Sequence, residues 1–141
     1  MRRDVRTVLY GGSEEWTKAL CDCVIVLMIE KREAVENLEA ILGVRGVDMI
    51  QFGPGDYALS LGFPGQRAHD GVREAEAHVI ETAQRLDVAV RAEPRNAAEA
   101  ERYLELGVRH FCVGHDVLTL HDWFTEQGAL MREALSAIRL R

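Results

Sequence analysis

A chain of 141 residues has the usual size of one compact domain, so residues 1–141 are expected to form a single unit. Hydrophobic residues at 48% and charged residues at 28% exclude extended disorder. The net charge of −6, with 17 scattered Lys and Arg, argues against a nucleic-acid partner. It also means that any site for an acid must use a local positive source: a metal ion, backbone N–H groups or one well-placed Arg.

The longest apolar run, Val24 to Ile29, is too short to span a bilayer, and no signal-like apolar core follows Met1. A cytoplasmic protein with no membrane partner is the expectation. Cys21, Cys23 and Cys112 have no framework spacing and are expected to be reduced thiols acting as small buried hydrophobes.

Along the chain, Ser13 reads as the N-cap of a helix with Glu14 and Glu15 in its first turn. Cys23 to Ile29, continuously apolar and rich in β-branched residues, predicts a strand covered on both faces and ending at Glu30. Ala34, Leu38, Ile41 and Leu42 recur at helical spacing and predict one helix over 33–42. The pattern returns as a strand over 47–52, a Gly-rich loop Gly53-Pro54-Gly55-Asp56 extended through Gly65, and a helix over 72–86. A third unit places a strand at 88–92 and a helix at 97–106. A fourth places a strand at 109–113, the loop Gly114-His115-Asp116, and a terminal helix over 117–135.

Four strand-helix units in series imply an α/β fold with parallel strands and right-handed crossovers. A (β/α)8 TIM-type barrel takes ~250 residues, so four units amount to half a barrel. A small open doubly wound sheet is the alternative, although no Gly-x-Gly-x-x-Gly follows the first strand.

Functional groups in parallel α/β folds gather at the C-terminal ends of strands. Glu30, Asp56, Glu93 and His115-Asp116 all fall there. Neighbouring strands lie ~4.8 Å apart, so carboxylates ending consecutive strands can converge on one cation. Two acids, completed by water and substrate oxygens, suit Mg²⁺ or Mn²⁺. Glu30 also has Lys31 and Arg32 beside it and reads equally as a surface ion-pair residue, and Asp56 as a turn or cap residue. The Gly53-Pro54-Gly55-Asp56 segment suits either a plain tight turn or backbone N–H groups brought close to a ligand carboxylate. His115 and Glu93 are candidates for a proton-transfer role, with a satisfied polar contact as the simpler reading of His115. His69, His78, His110 and His121 show no ligand spacing and read as surface or packing residues.

The segments Val26–Leu38 (VLMIEKREAVENL), Gly46–Gly62 (GVDMIQFGPGDYALSLG), Tyr103–Phe111 (YLELGVRHF) and Val113–Asp116 (VGHD) together resemble the HpcH/HpaI aldolase/citrate lyase family. The resemblance covers nearly the whole chain and corresponds to the C-terminal half of that barrel. It implies that Glu30 and Asp56 are the protein ligands of a divalent Mg²⁺ or Mn²⁺ ion, and that Gly53, Pro54, Gly55 and Asp56 hold the carboxylate of a pyruvate-like 2-oxo acid. The reaction implied is reversible aldol cleavage of a 4-hydroxy-2-oxo acid, giving pyruvate and an aldehyde. Ala68-His69-Asp70 departs from the family's His-Pro-Glu and touches a helix start. The family's general-base His and a substrate-binding Arg lie upstream of every segment matched here. The resemblance therefore places Met1 after the fourth barrel strand, as in a truncated frame, a split gene or a remnant. It implies a partner: a complementary first-half chain or a second copy in a homo-oligomer, with Leu118, Leu120, Trp123 and Phe124 as contact residues. The alternatives are a catalytically incomplete metal- or oxo-acid-binding or structural module, and a fragment resembling citrate lyase β-type enzymes that act on CoA thioesters.

Overall fold

The computed structural model describes residues 11–139. They gather into two compact units divided between Arg91 and Ala92.

Among the described residues of the first unit the first element is α1 (Glu14–Cys21), whose N-terminus is closed by the Ser13 hydroxyl accepting from the Trp16 N–H at 3.1 Å. Strand β1 (Val26–Ile29) is shorter than the apolar run from which it was predicted. The continuation is taken up before the strand: Val24 and Ile25 are exposed, and the Ile25 N–H donates to the Asp48 carboxylate at 2.8 Å. Nor is β1 covered on both faces, for only Ile29 is buried and Met28 is 46% exposed.

The helix predicted over 33–42 is in fact two, α2 (Arg32–Glu36) and α3 (Leu38–Leu42). They are separated at Asn37, with φ −105° and ψ 20°, whose side-chain N–H donates to the Glu33 carbonyl at 2.8 Å. A short amide side chain that bonds back to the preceding turn offers the backbone an alternative to continuing the helix, and here it ends one.

Strand β2 (Met49–Phe52) is followed by α4 (Pro54–Ser60), so Pro54-Gly55-Asp56 is the first turn of a helix and not a loop. Proline at the first helical position carries a φ already suited to the helix and lacks only an N–H that would have been unpaired there. Helix α5 (Asp70–Arg85) starts two residues earlier than predicted because His69 caps it, its Nδ1 accepting from the Gly71 N–H at 3.1 Å. The Phe63 ring stacks on the same imidazole at 4.2 Å between centroids.

Strand β3 (Ala89–Ala92) follows, and the strands stand in the order β1-β2-β3-β4, with β1–β2 and β2–β3 parallel. The register sets Met28 opposite Gln51 and Gln51 opposite Arg91. Because side chains alternate across a strand, these three share one sheet face, while Ile29, Ile50, Phe52 and Val90 share the other. That second face is buried, with Leu38, Val72, Val79, Ile80 and Ala83 supplied by α3 and α5. Among the described strands the sequential order has no reversal of the doubly wound kind, and it matches the arrangement of a barrel segment.

The second unit holds α6 (Ala97–Glu105), capped by the Asn96 side chain accepting from the Glu99 N–H at 3.0 Å. Strand β4 (His110–Phe111) is only two residues long, and beyond it the Cys112 N–H donates to the Ala92 carbonyl at 2.9 Å. Helix α7 (Asp116–Arg139) starts at Asp116, whose carboxylate accepts from the Val117 N–H at 2.8 Å. Leu118, Leu120, Trp123 and Phe124 are all exposed on α7. Cys21 and Cys23 are exposed free thiols and Cys112 is half-buried, so the expectation of buried cysteines does not hold for the first two. No helix among the described residues is long and apolar enough to cross a membrane.

Candidate functional site

The C-terminal ends of β1 and β2 carry the first cluster. Backbone pairing continues one residue past β2, for the Gly53 N–H donates to the Ile29 carbonyl at 3.0 Å. This fixes Gly53 beside Glu30. A Cβ placed on Gly53 would lie 2.9 Å from the Glu30 Cβ, 3.1 Å from Glu30 Oε2 and 3.4 Å from the Met28 sulfur. Glycine is therefore required by close approach: its bare α-carbon makes the space that the half-buried Glu30 side chain occupies. The φ of Gly53, −105°, is open to any residue, so the requirement is one of space alone.

Asp56 stands in the first turn of α4 and is exposed. A carboxylate there is favoured by the positive end of the helix and by unpaired first-turn N–H groups. Among the described residues neither the Glu30 nor the Asp56 carboxylate is engaged in an ion pair with Lys31, Arg32 or any other cation. The donor chemistry, a Glu30 carboxylate after β1 with room made by a glycine and an Asp56 carboxylate in the first turn of α4, suits a divalent cation such as Mg²⁺ or Mn²⁺. No group of three or more His, Cys, Asp or Glu is placed to hold a metal among the described residues.

Behind α4, Tyr57 is buried and its ring meets Phe52 at 5.1 Å between centroids. Burial pushes the Tyr57 phenol up from its ordinary value, with nearby Arg32 opposing the shift and Glu36 adding to it.

The second cluster belongs to the second unit. There the His115 Nε2 pairs with the Glu93 carboxylate, joining the segments that follow β3 and β4. The two candidates singled out separately in the sequence are thus one pair. A carboxylate on one imidazole nitrogen fixes the ring's orientation and leaves the other nitrogen, Nδ1, to exchange protons. By contrast His121 pairs with its neighbour Asp122.

Sequence reasoning passed over one polar pair in the first unit. On the face carrying Met28, the Arg91 Nε–H donates to Gln51 Oε1 at 2.6 Å. Gln51 is only 5% exposed. The available signal was a polar residue in the middle of each of two apolar strands, at positions of matching parity.

Comparison with known proteins bears on both units. The family model described as HpcH/HpaI aldolase/citrate lyase matches residues 3–122. A 4-hydroxy-2-oxo-heptane-1,7-dioate aldolase from Salmonella arizonae is 40% identical over 98 residues, covering 70% of this chain and 37% of that protein. Among solved structures, citrate synthase SbnG superposes with a TM-score of 0.76 at 25% identity, over 95% of this chain and 53% of that one. The HpcH/HpaI aldolase from Desulfitobacterium hafniense does so with a TM-score of 0.73 at 27% identity, over 94% of this chain and 53% of that one. The match thus spans 37% of the Salmonella aldolase and about half of the two solved structures.

Proposed function

This chain belongs to the HpcH/HpaI aldolase/citrate lyase family, and from that premise we propose that it is the metal-binding half of a carbon–carbon lyase, a class II aldolase. In this reading Glu30 and Asp56 hold a divalent cation, Mg²⁺ or Mn²⁺. The observation that carries it is the absent side chain at Gly53, which makes room for the Glu30 carboxylate at the start of the helix bearing Asp56. When bound, such an ion supplies Lewis-acid polarisation of a carbonyl oxygen without a Lys Schiff base.

The substrate class is a 4-hydroxy-2-oxo acid, in keeping with the heptanedioate named for the Salmonella relative. The chain's own contribution begins with binding. The N–H groups of Gly55 and Asp56, in the first turn after Gly53 and Pro54, have no acceptor within α4 and are donors for the pyruvyl carboxylate. Cleavage then requires loss of the 4-hydroxyl proton to a base. The C3–C4 bond breaks, the hydroxyl oxygen becomes the aldehyde carbonyl, and C3 takes a proton to leave pyruvate. Within the second unit, His115 paired with Glu93 is a group able to accept a proton.

A second reading, binding of metal and oxo acid without turnover, is supported by the chain's covering 37% of the Salmonella aldolase and 53% of the two solved structures. Pyruvate formation from 4-hydroxy-2-oxoheptanedioate with Mn²⁺, measured for this chain alone and for this chain mixed with the N-terminal half of a family aldolase, separates the two. Metal-dependent turnover in the mixture supports the lyase. Binding with no turnover in either sample supports the second reading.

A further inference from the structure

Arg91 is a charge of the first unit that the lyase reading does not use. It lies mid-strand in β3, half-buried, on the face it shares with Gln51 and Met28. Its Nε is held by Gln51 Oε1 at 2.6 Å, and Gln51 is itself almost wholly buried. A neutral amide orients a guanidinium but does not neutralise it. Among the described residues no carboxylate pairs with Arg91, and its terminal Nη1 and Nη2 groups have no protein acceptor. Partial burial of a full charge is costly unless an anion completes it. The remaining edge of a guanidinium anchored through Nε is a planar two-donor fork of the shape that takes a carboxylate side-on. The same sheet face continues, two residues along each strand, to Glu30 and Gly53.

We propose that Arg91, held by Gln51, is a carboxylate-binding residue that receives an acid group of the substrate. The inference deepens the lyase reading, since it makes the substrate an acid recognised by a fixed cation as well as by backbone donors. In a chain of net charge −6 this is a local positive source that needs no metal. Gln51 is a positioning residue: it turns the fork and does not itself contact the ligand.

The test uses succinate as the probe in the presence of EDTA, so that it reads Arg91 apart from the cation. The Arg91 Nε–H and Nη resonances are followed by ¹⁵N NMR, with affinity taken from the titration. The expected result is saturable binding of succinate that shifts those resonances, no binding of neutral succinamide, and loss of affinity by about tenfold or more in Arg91→Met. Arg91→Lys, which keeps the charge but not the fork, should lose most of the affinity with folding intact by circular dichroism. Gln51→Leu should weaken binding and broaden the Arg91 signals. Unchanged affinity in Arg91→Lys, or a wild-type chain whose Arg91 signals do not move with succinate, overturns the proposal. Failure of Mn²⁺ to bind in a parallel titration without EDTA counts against the lyase reading and leaves the succinate result standing by itself.

Discussion

A Cβ on residue 53 would come within 2.9 Å of the Cβ of Glu30, so the conformation of one residue of the candidate metal pair depends on the absence of a side chain at Gly53. Gly53→Ala should therefore displace Glu30 or the start of α4. Overpacking of this kind costs about 1–3 kcal/mol. Urea denaturation should show the loss of stability, and Mn²⁺ affinity should fall with it. Gly55→Ala is the control: nothing lies within 4 Å of a Cβ there, so that variant should keep both.

Proton transfer gives a second prediction. In any turnover by this chain alone, where no upstream base is supplied, His115→Ala should lower kcat by about 10²–10⁴-fold. Glu93→Gln should lower it less, since it alters the orientation of the imidazole without removing it. Neither change should alter Mn²⁺ affinity, because neither residue is one of the two candidate ligands. Equal rates for wild type and His115→Ala would remove the pair from the chemistry.

Stability at high pH follows from Tyr57. Its phenol is raised by burial above the ordinary value of 10.0, so the unfolded chain loses its proton first as pH rises. The corresponding stability is complete below pH 10 and is lost as pH climbs towards the folded-state value. Denaturant midpoints should fall above that pH in wild type and fall less in Tyr57→Phe.

Assembly is the fourth expectation. Trp123 is 54% and Phe124 64% exposed on α7, with Leu118 and Leu120 also open, more apolar surface than a single helix usually leaves in water. The chain should self-associate at micromolar concentration in sedimentation experiments. The double variant Trp123→Glu, Phe124→Glu should shift it towards monomer.

The strand-helix alternation was legible because each buried strand is an apolar run and each helix repeats its apolar positions at 3–4 residue spacing, as Val72, Ala75, Val79 and Ala83 do. Element ends were less so. Asn37 divides a helix through a side-chain bond to Glu33, and Gly53-Pro54-Gly55 opens a helix with residues that elsewhere make turns. The candidate carboxylates were visible from their strand-end positions, and the contact that makes room for Glu30 was not, because it depends on a pairing across strands. The pair between Gln51 and Arg91 was hidden for the same reason: its two members stand 40 residues apart and meet only through the register of β2 and β3.

Metal binding tests the central claim most directly. Calorimetric titration of Mn²⁺ into wild type, Glu30→Gln and Asp56→Ala, each with and without oxalate as a pyruvate-like chelator, should give modest affinity in the wild type. Oxalate should strengthen that affinity by completing the coordination shell. Each variant should lose binding by about tenfold or more. Equal Mn²⁺ affinity in all three proteins, with no effect of oxalate, would contradict the assignment of Glu30 and Asp56 and with it the account of this chain as the metal-binding half of a lyase.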